Sequence, residues 1–377
     1  MTIAASGASV VTTARGSTRG LPAATIVLGG TLLSLVGLTW DVQWHTDVGP
    51  DTFFTLPHLF LYSGSAVSGL TSLIVVLATT AATRRGRDVD TRVGGRAVGV
   101  FKTFNAPAGY LVSGIGAAAF LLYGLWDQWW HGLYGFDAVI NSPPHIGLLL
   151  SVSVTMIGTV MVFAAARHER WGLIGALAGL GVLLAFSMVT VIGLQNLDGG
   201  VLDPIIVGSA FLSVLLVMIG AGLRGRPGGA LGVAVTLAVI QGVFWWFSPW
   251  ATRAYADMVG LPMRDYASTV PQMPSLMPMC LIFVAALLEL ALWSARSRNR
   301  PIGAVSLIAG ALSGLLVALC SPLQTAWVFS AKMPDSTTVI ATTAAGAVLG
   351  ALAGFLGQRF GESLRLLAPN AEGGQHA

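Results

Sequence analysis

The chain is poor in charged residues and in cysteine. Only 10% of its 377 residues are Asp, Glu, Lys or Arg, whereas soluble domains carry about 25%. This scarcity excludes a soluble multidomain enzyme and a disordered protein. The two cysteines, Cys280 and Cys320, both lie in apolar stretches. They therefore exclude a disulfide framework and a Cys-x-x-Cys metal site.

The chain also lacks the sequence motifs of nucleotide-binding proteins. Its glycine-rich segments contain no Gly-x-Gly-x-x-Gly placed after a strand and no Walker loop, which argues against a nucleotide site. The net charge of +4 does not indicate nucleic-acid binding, because the basic residues lie in short connections between apolar runs. We therefore expect no nucleic-acid partner.

Long apolar runs dominate the sequence. Hydrophobic residues make up 54% of the chain, and ten runs reach the roughly 20 residues that cross a bilayer. We place these spans at 22–44, 55–80, 106–130, 144–166, 171–194, 203–223, 229–250, 273–294, 302–328 and 337–358. The sequence thus predicts an all-α integral membrane protein, a polytopic helical bundle of about ten transmembrane helices built as repeated hairpins and surrounded by membrane lipid.

The basic residues predict the orientation of the bundle. Of the 20 basic residues, only Arg253, Arg264 and Lys332 lie in connections that follow odd-numbered spans. By the positive-inside rule, both termini lie in the cytoplasm and the hairpins open toward the outer face of the plasma membrane. The predicted segments are a cytoplasmic tail (1–20), duplicated hairpins (21–167), three further hairpins (168–360) and a second cytoplasmic tail (361–377).

One motif occurs at the open end of each of the first two hairpins. In each copy an Asp precedes a His by four residues, which places both on one face of a helix. A second His follows a proline, a residue favoured in the first turn of a new helix. The motif residues are Asp41, His45 and His58 in the first copy and Asp127, His131 and His145 in the second.

Two His and one carboxylate form a ligand set for Fe(II) or copper that leaves positions open for a substrate or dioxygen. Ionisable residues within membrane spans are costly and usually functional. One alternative is that Trp, Asp and His simply occupy helix ends at the membrane interface. Another is haem ligation by paired histidines, which leaves the repeated Asp unexplained. Two copies with nearly the same spacing favour a metal site.

The pattern Asp41-x3-His45-x12-His58 resembles the copper motif in one of the helical membrane subunits of the particulate methane and ammonia monooxygenases. The pattern Asp127-x3-His131-x13-His145 is similar to that family's neighbouring site, and the comparison covers residues 40–147. The resemblance implies a helical membrane protein in which two adjacent sites take part in, or support, oxygen-dependent oxidation.

The chain departs from that family in three respects. Asp127 stands where the family's second site usually has Asn, ten spans exceed the number in the subunit that carries the copper motif, and no polar segment marks a soluble copper domain. Two carboxylates with four histidines also suit non-haem di-iron. The motif spacing favours copper at both sites, and di-iron is the alternative.

We therefore expect a metal-dependent membrane monooxygenase or oxidase that activates O2 at two adjacent sites near the outer face. Its substrate would be a small molecule oxidised at a C–H or N–H bond, such as an amine or hydrazine nitrogen in a tailoring pathway. The rival functions are metal transport or delivery and an accessory subunit with structural metals. The electron donor and any partner subunits or second copy of the chain are not identified by the sequence.

Other residues are candidates for supporting roles. We expect four tryptophans to wall the site. Tyr62 or Tyr134 would supply a hydrogen bond or an electron. Arg253 or Arg264 would orient an anionic group of the substrate or pair with an acidic side chain. Glu289 could relay protons or be a structural acid. Gln195 occurs where a third motif copy would lie, but without a His we expect no third metal set. The tryptophans are Trp40, Trp44, Trp126 and Trp130.

Overall fold

The computed structural model describes residues 18–135, 141–197, 200–267 and 270–368. Within them, ten helical segments are long and apolar enough to cross a membrane. This confirms the predicted all-α polytopic bundle. The helices are α1 (Leu21–Asp47), α2 (Leu56–Arg84), α3 (Ala108–Tyr134), α4 (Pro143–Ala164), α5 (Arg170–Ile192), α6 (Pro204–Arg224), α7 (Gly229–Val259), α8 (Gln272–Leu276), α9 (Leu281–Ser297), α10 (Ile302–Phe329) and α11 (Ser336–Leu364). The short α8 and α9 together form one of the ten segments, Gln272–Ser297.

The helix bounds follow the predicted spans closely, although the span predicted at 273–294 is broken between α8 and α9. Several helices begin with proline in the first turn, where the missing N–H has no intrahelical partner to lose. The span predicted at 229–250 is longer in the structure, because α7 continues through Pro249 to Val259. Its last two turns carry Tyr255, which packs against Trp40 and Trp44 of α1.

The connection between α2 and α3 is not helical and contains a small hairpin. Strands β1 (Ala97–Val100) and β2 (Phe104–Pro107) pair antiparallel. Phe101 and Lys102 lie in the three-residue connection between them and have φ values of 50° and 55°, the left-handed conformation that tight hairpin turns use. The bundle itself is all-α as predicted, and this short hairpin lies in a connection outside it. The hairpin lies at the end of the bundle opposite the duplicated motifs.

Glycines allow the two motif-bearing hairpins to close tightly. In the first, a Cβ on Gly37 of α1 would collide with the backbone of Pro57 and Leu61 on α2. In the second, a Cβ on Gly116 of α3 would collide with the backbone of Thr155 on α4. Close backbone approach of this kind is the usual role of small residues between membrane helices. It brings the helix ends that carry the motifs together.

The remaining helices depart from simple sequential hairpins. α10 and α11 pack along much of their length, but α6 packs more extensively on α11 than on its sequence neighbour α5. α5 and α6 are the most buried of the ten spans. The later helices thus form the centre and one side of the bundle. Most of the two predicted tails lies outside the described residues, at 1–17 and 369–377.

We predict that the motif-bearing end of the bundle faces the outside of the cell. Asp88 lies in the connection after α2, and Met258 lies in the last turn of α7. Both are exposed, and they lie at opposite ends of the bundle. In a chain whose two cysteines are replaced by serine, an impermeant maleimide should label Met258→Cys in intact cells. Asp88→Cys should react only after permeabilisation. Labelling of both positions from the same side would contradict the topology, and the cysteine-free chain is the control.

Candidate metal centres

The first motif residues converge where α1 ends and α2 begins. His58 Nε2 lies 3.1 Å from Asp41 Oδ1, and His45 Nε2 lies 3.8 Å from the same oxygen. All three side chains are largely shielded, with exposed fractions of 15–21%. The predicted first set is therefore assembled by the fold.

A fourth residue, Asp51, joins this set. Its Oδ2 lies 3.1 Å from His45 Nε2 and 3.4 Å from His58 Nε2. The Thr52 backbone N–H donates to its other oxygen at 2.7 Å and so fixes the carboxylate. Although burial opposes it, the hydrogen bond from His45 and the nearby His58 lower the pKa of Asp51 below its usual value. This carboxylate is ionised at neutral pH.

Sequence reasoning missed Asp51 as a ligand, although a signal for it was present. Asp51 follows His45 by six residues, and Asp137 follows His131 by the same interval. The repeat therefore extends beyond the six residues chosen. Asp137 lies outside the described residues.

The hydrogen bonds of His58 determine what its Nε2 atom presents to the carboxylates. Its Nδ1 lies 3.0 Å from the carbonyl oxygen of Thr52, and a carbonyl can only accept, so Nδ1 carries the proton. In the neutral ring, Nε2 is then a lone-pair acceptor facing Asp41 Oδ1. That oxygen is buried and accepts no hydrogen bond from a described residue. Two acceptors at 3.1 Å require a cation between them, either a proton or a metal ion.

The second set has the same arrangement and is more deeply buried. His131 Nε2 and His145 Nε2 each lie 3.3 Å from Asp127 Oδ1. The Nδ1 of His131 donates to the carbonyl oxygen of Gly135 at 2.9 Å. The side chains of His131 and Asp127 are only 3% and 9% exposed. The structure thus brings together all six predicted ligand residues, in two groups of three.

These distances fit the binding of a metal ion. In each group, ligand atoms of all members lie within 4.8 Å of one another. Two ligand atoms about 2.1 Å from a shared ion stand about 3.0–3.4 Å apart in octahedral or tetrahedral geometry. Ligating histidines characteristically donate their other N–H to a carbonyl or carboxylate, as His58 and His131 do. Both groups could therefore hold a transition-metal ion.

Both groups open into one cavity of about 490 Å³. Its wall comes from both motif-bearing hairpins and from α5, α6, α8 and α10. Tyr62, one turn after His58, also lines this space, whereas Tyr134 is 65% exposed and packs against Trp130. Of the two tyrosines considered from the sequence, only Tyr62 is placed to act in the cavity.

The expectation that four tryptophans wall the site is wrong. Trp40 and Trp44 are buried on the far side of α1, against Tyr255. Trp126 is 39% exposed, and Trp130 packs against Tyr134. None of these four described residues lines the cavity. The motif helices turn their carboxylates and imidazoles inward, so the neighbouring tryptophans project elsewhere.

Arg264 serves neither of the roles expected from the sequence. Its guanidinium donates to the carbonyl oxygens of His45 and Thr46 at 2.9 and 3.2 Å, and its backbone N–H donates to Asp47 O at 2.8 Å. It therefore caps the C-terminal carbonyls of α1, where a cation is favourable. Gly49, at φ 104°, leaves the space that the guanidinium occupies.

Comparisons of the chain with models of protein families, with curated proteins and with solved structures find no match. The resemblance to the particulate methane and ammonia monooxygenases therefore stays a prediction that rests on the motifs in residues 40–147.

We predict that each histidine-rich group binds its own ion. Replacing one of three or four ligands should cost most of a site's affinity, because changes to the groups around ligands alone cost about 10–100-fold. Metal content, measured by mass spectrometry on purified protein, should fall toward half in His45→Ala and in His131→Ala, and toward zero in the double variant. His168, in the connection before α5, provides the control, because His168→Ala should retain all the metal.

We predict that Arg264→Met weakens metal binding in the first group and leaves the second unchanged. Without the guanidinium, the last turn of α1 loses its cap and His45 is held less firmly, so affinity should fall by about 10–100-fold. Competition with a chelator would measure this loss. Arg253→Met is the matched control, because Arg253 is exposed near the end of α7. Equal losses at both groups, or in both variants, would contradict the positioning role.

Proposed function

We propose that the chain is a membrane-embedded, metal-dependent monooxygenase or oxidase with two metal sites that face one cavity. The observation that carries this proposal is the pair of Asp–His groups whose Nε2 atoms converge on buried carboxylates. Such groups bind iron or copper and leave positions open. When bound, these ions would supply the activation of dioxygen.

The chain's own residues hold and orient the ligands and shape the reaction space. Hydrogen bonds from His58 and His131 to backbone carbonyls place the proton on Nδ1, so that the Nε2 lone pair faces the carboxylate in each neutral ring. The phenol of Tyr62 lies in the cavity beside His58, within reach of a substrate held there. The remaining wall is largely apolar.

The distribution of ligands supports a site in preference to a transport pathway. A metal transporter needs ligands at several depths along the membrane. Within the described residues, the two groups are the only clusters of three or more His, Cys, Asp or Glu that could hold an ion, and both lie at the same end of the bundle. Glu289, near the other end, is buried and accepts a hydrogen bond from Ala230 N at 2.7 Å. It caps the start of α7.

The ligand inventory favours iron ahead of copper. The motif spacing favours copper, through the resemblance to the particulate monooxygenases. Asp51 adds a third carboxylate to the four histidines, and hard oxygen ligands suit iron in the oxidation states that oxygen chemistry generates better than they suit Cu(I). We therefore propose two iron ions, with copper as the second candidate.

Metal analysis followed by oxygen uptake tests this proposal. We expect about two iron ions per chain and reductant-dependent O2 consumption that candidate C–H or N–H substrates stimulate. Asp127→Asn should lose the second ion and most of the O2 consumption, because a neutral amide is a poor iron ligand. Asp257→Asn, at an exposed acid on the same end of the bundle, should behave like the original chain.

Two results would redirect the assignment. Copper in the purified protein, with occupancy and activity retained in Asp127→Asn, would establish the copper alternative. Two tightly bound ions without O2 consumption under any condition would contradict the enzymatic function and favour an accessory protein with structural metals.

A further inference from the structure

The cavity extends well beyond the metal-binding groups. Its volume of about 490 Å³ far exceeds the roughly 30 Å³ that one water molecule occupies in the liquid. It falls within the 300–1,000 Å³ typical of pockets for drug-sized ligands. A substrate the size of methane or ammonia would leave most of this space empty.

The wall away from the ligands is predominantly apolar. It combines side chains from several helices, which could enclose a hydrocarbon body on several sides. They include Leu38, Leu61, Leu148, Ile192, Leu276 and Phe329. Removing such surface from water stabilises a bound apolar ligand.

Three polar groups in the wall are available to a ligand. The amides of Gln195 and Gln272 and the hydroxyl of Tyr62 line the cavity, and none of these three polar groups has a hydrogen-bond partner among the described residues. Together they offer both donors and acceptors. Gln195 comes from the third hairpin, at the place where a third copy of the motif would lie.

The lining contains no cationic side chain of Lys or Arg among the described residues. Arg264, a basic residue at this end of the bundle, is committed to the carbonyl oxygens of α1. The ionisable groups that face the cavity near the ligands are the three aspartates and four histidines of the metal-binding groups. A carboxylate or phosphate on a substrate would therefore find no arginine or lysine among the described lining residues to pair with.

We infer that the cavity binds an uncharged organic molecule with a long apolar body and a hydrogen-bonding group, which Gln195, Gln272 and Tyr62 recognise. This inference rests on the proposed function and deepens it, since it names the class of molecule that would be oxidised. Apolar bodies of this kind partition into the bilayer around the bundle. Molecules the size of methane or ammonia are not the substrates that this cavity fits.

Thermal unfolding of the full chain in lipid nanodiscs tests the inference with three probes: 1-decanol, decanoate and methanol. A ligand that binds only the folded state raises its stability. We expect 1-decanol to raise the unfolding temperature in a saturable manner, before and after removal of metal with EDTA. Decanoate has the same chain with a charge, and methanol has the hydroxyl without the chain. Neither should stabilise the EDTA-treated protein.

A pair of variants on α5, which carries no metal ligand, separates binding in the cavity from partition into lipid. Ile192→Trp fills the cavity from its wall and should abolish stabilisation by 1-decanol while leaving the metal content unchanged. Ile174→Trp, at a 67% exposed position of the same helix, should retain the stabilisation by 1-decanol. Equal responses of the two variants, or equal stabilisation by all three probes, would overturn the inference.

The two proposals fail separately. Saturable binding of 1-decanol in a protein that never retains metal would leave the cavity assignment standing and remove the oxygenase. Two retained ions without binding of 1-decanol would contradict the cavity assignment and leave the proposed oxygenase standing.

Discussion

The structure depends on one electrostatic constraint, which is that carboxylates and imidazole acceptors face each other inside an apolar bundle. Asp41 Oδ1 and the lone pair of His58 Nε2 stand 3.1 Å apart, and the imidazole proton is held on the other side of the ring by Thr52. Leaving a buried charge without a partner typically costs about 3–5 kcal/mol. A cation at this position relieves that cost. In the second copy, His131 Nε2 and His145 Nε2 stand 3.3 Å from Asp127 Oδ1.

The two copies of the motif are built in the same way, but different contacts with the rest of the chain support them. Glycines draw each helix pair together, and a backbone carbonyl orients a histidine in each copy. The first copy is also tied to the second half of the chain. Arg264 caps α1, and Gln43, whose amide donates to Asp47 at 2.7 Å, accepts from Gln272 N at 2.9 Å. The stability of the first site is therefore coupled to the later helices.

Sequence reasoning recovered what depends on periodicity and missed what depends on the path of the connections. Span length predicted the ten helices, and the four-residue spacing of Asp and His predicted the shared face of each motif. Asp51 and Arg264 act from connections between helices, where no periodic pattern specifies which atoms meet. The tryptophans misled for a related reason. A residue next to a ligand on a helix points about 100° away from it, so proximity in sequence did not mean proximity to the cavity.

The division of the wall between early and late helices has a consequence for how such a chain can change. The duplicated hairpins supply every residue of the two candidate metal groups, whereas α5, α6, α8 and α10 supply much of the apolar and amide surface of the cavity. Substitutions on the later helices can therefore alter which molecule fits while the ligands stay in place. The residues that would bind the metal ions are thus different from those that would determine which substrate fits. Gln195 belongs to the second group, although it lies where a third copy of the motif would occur.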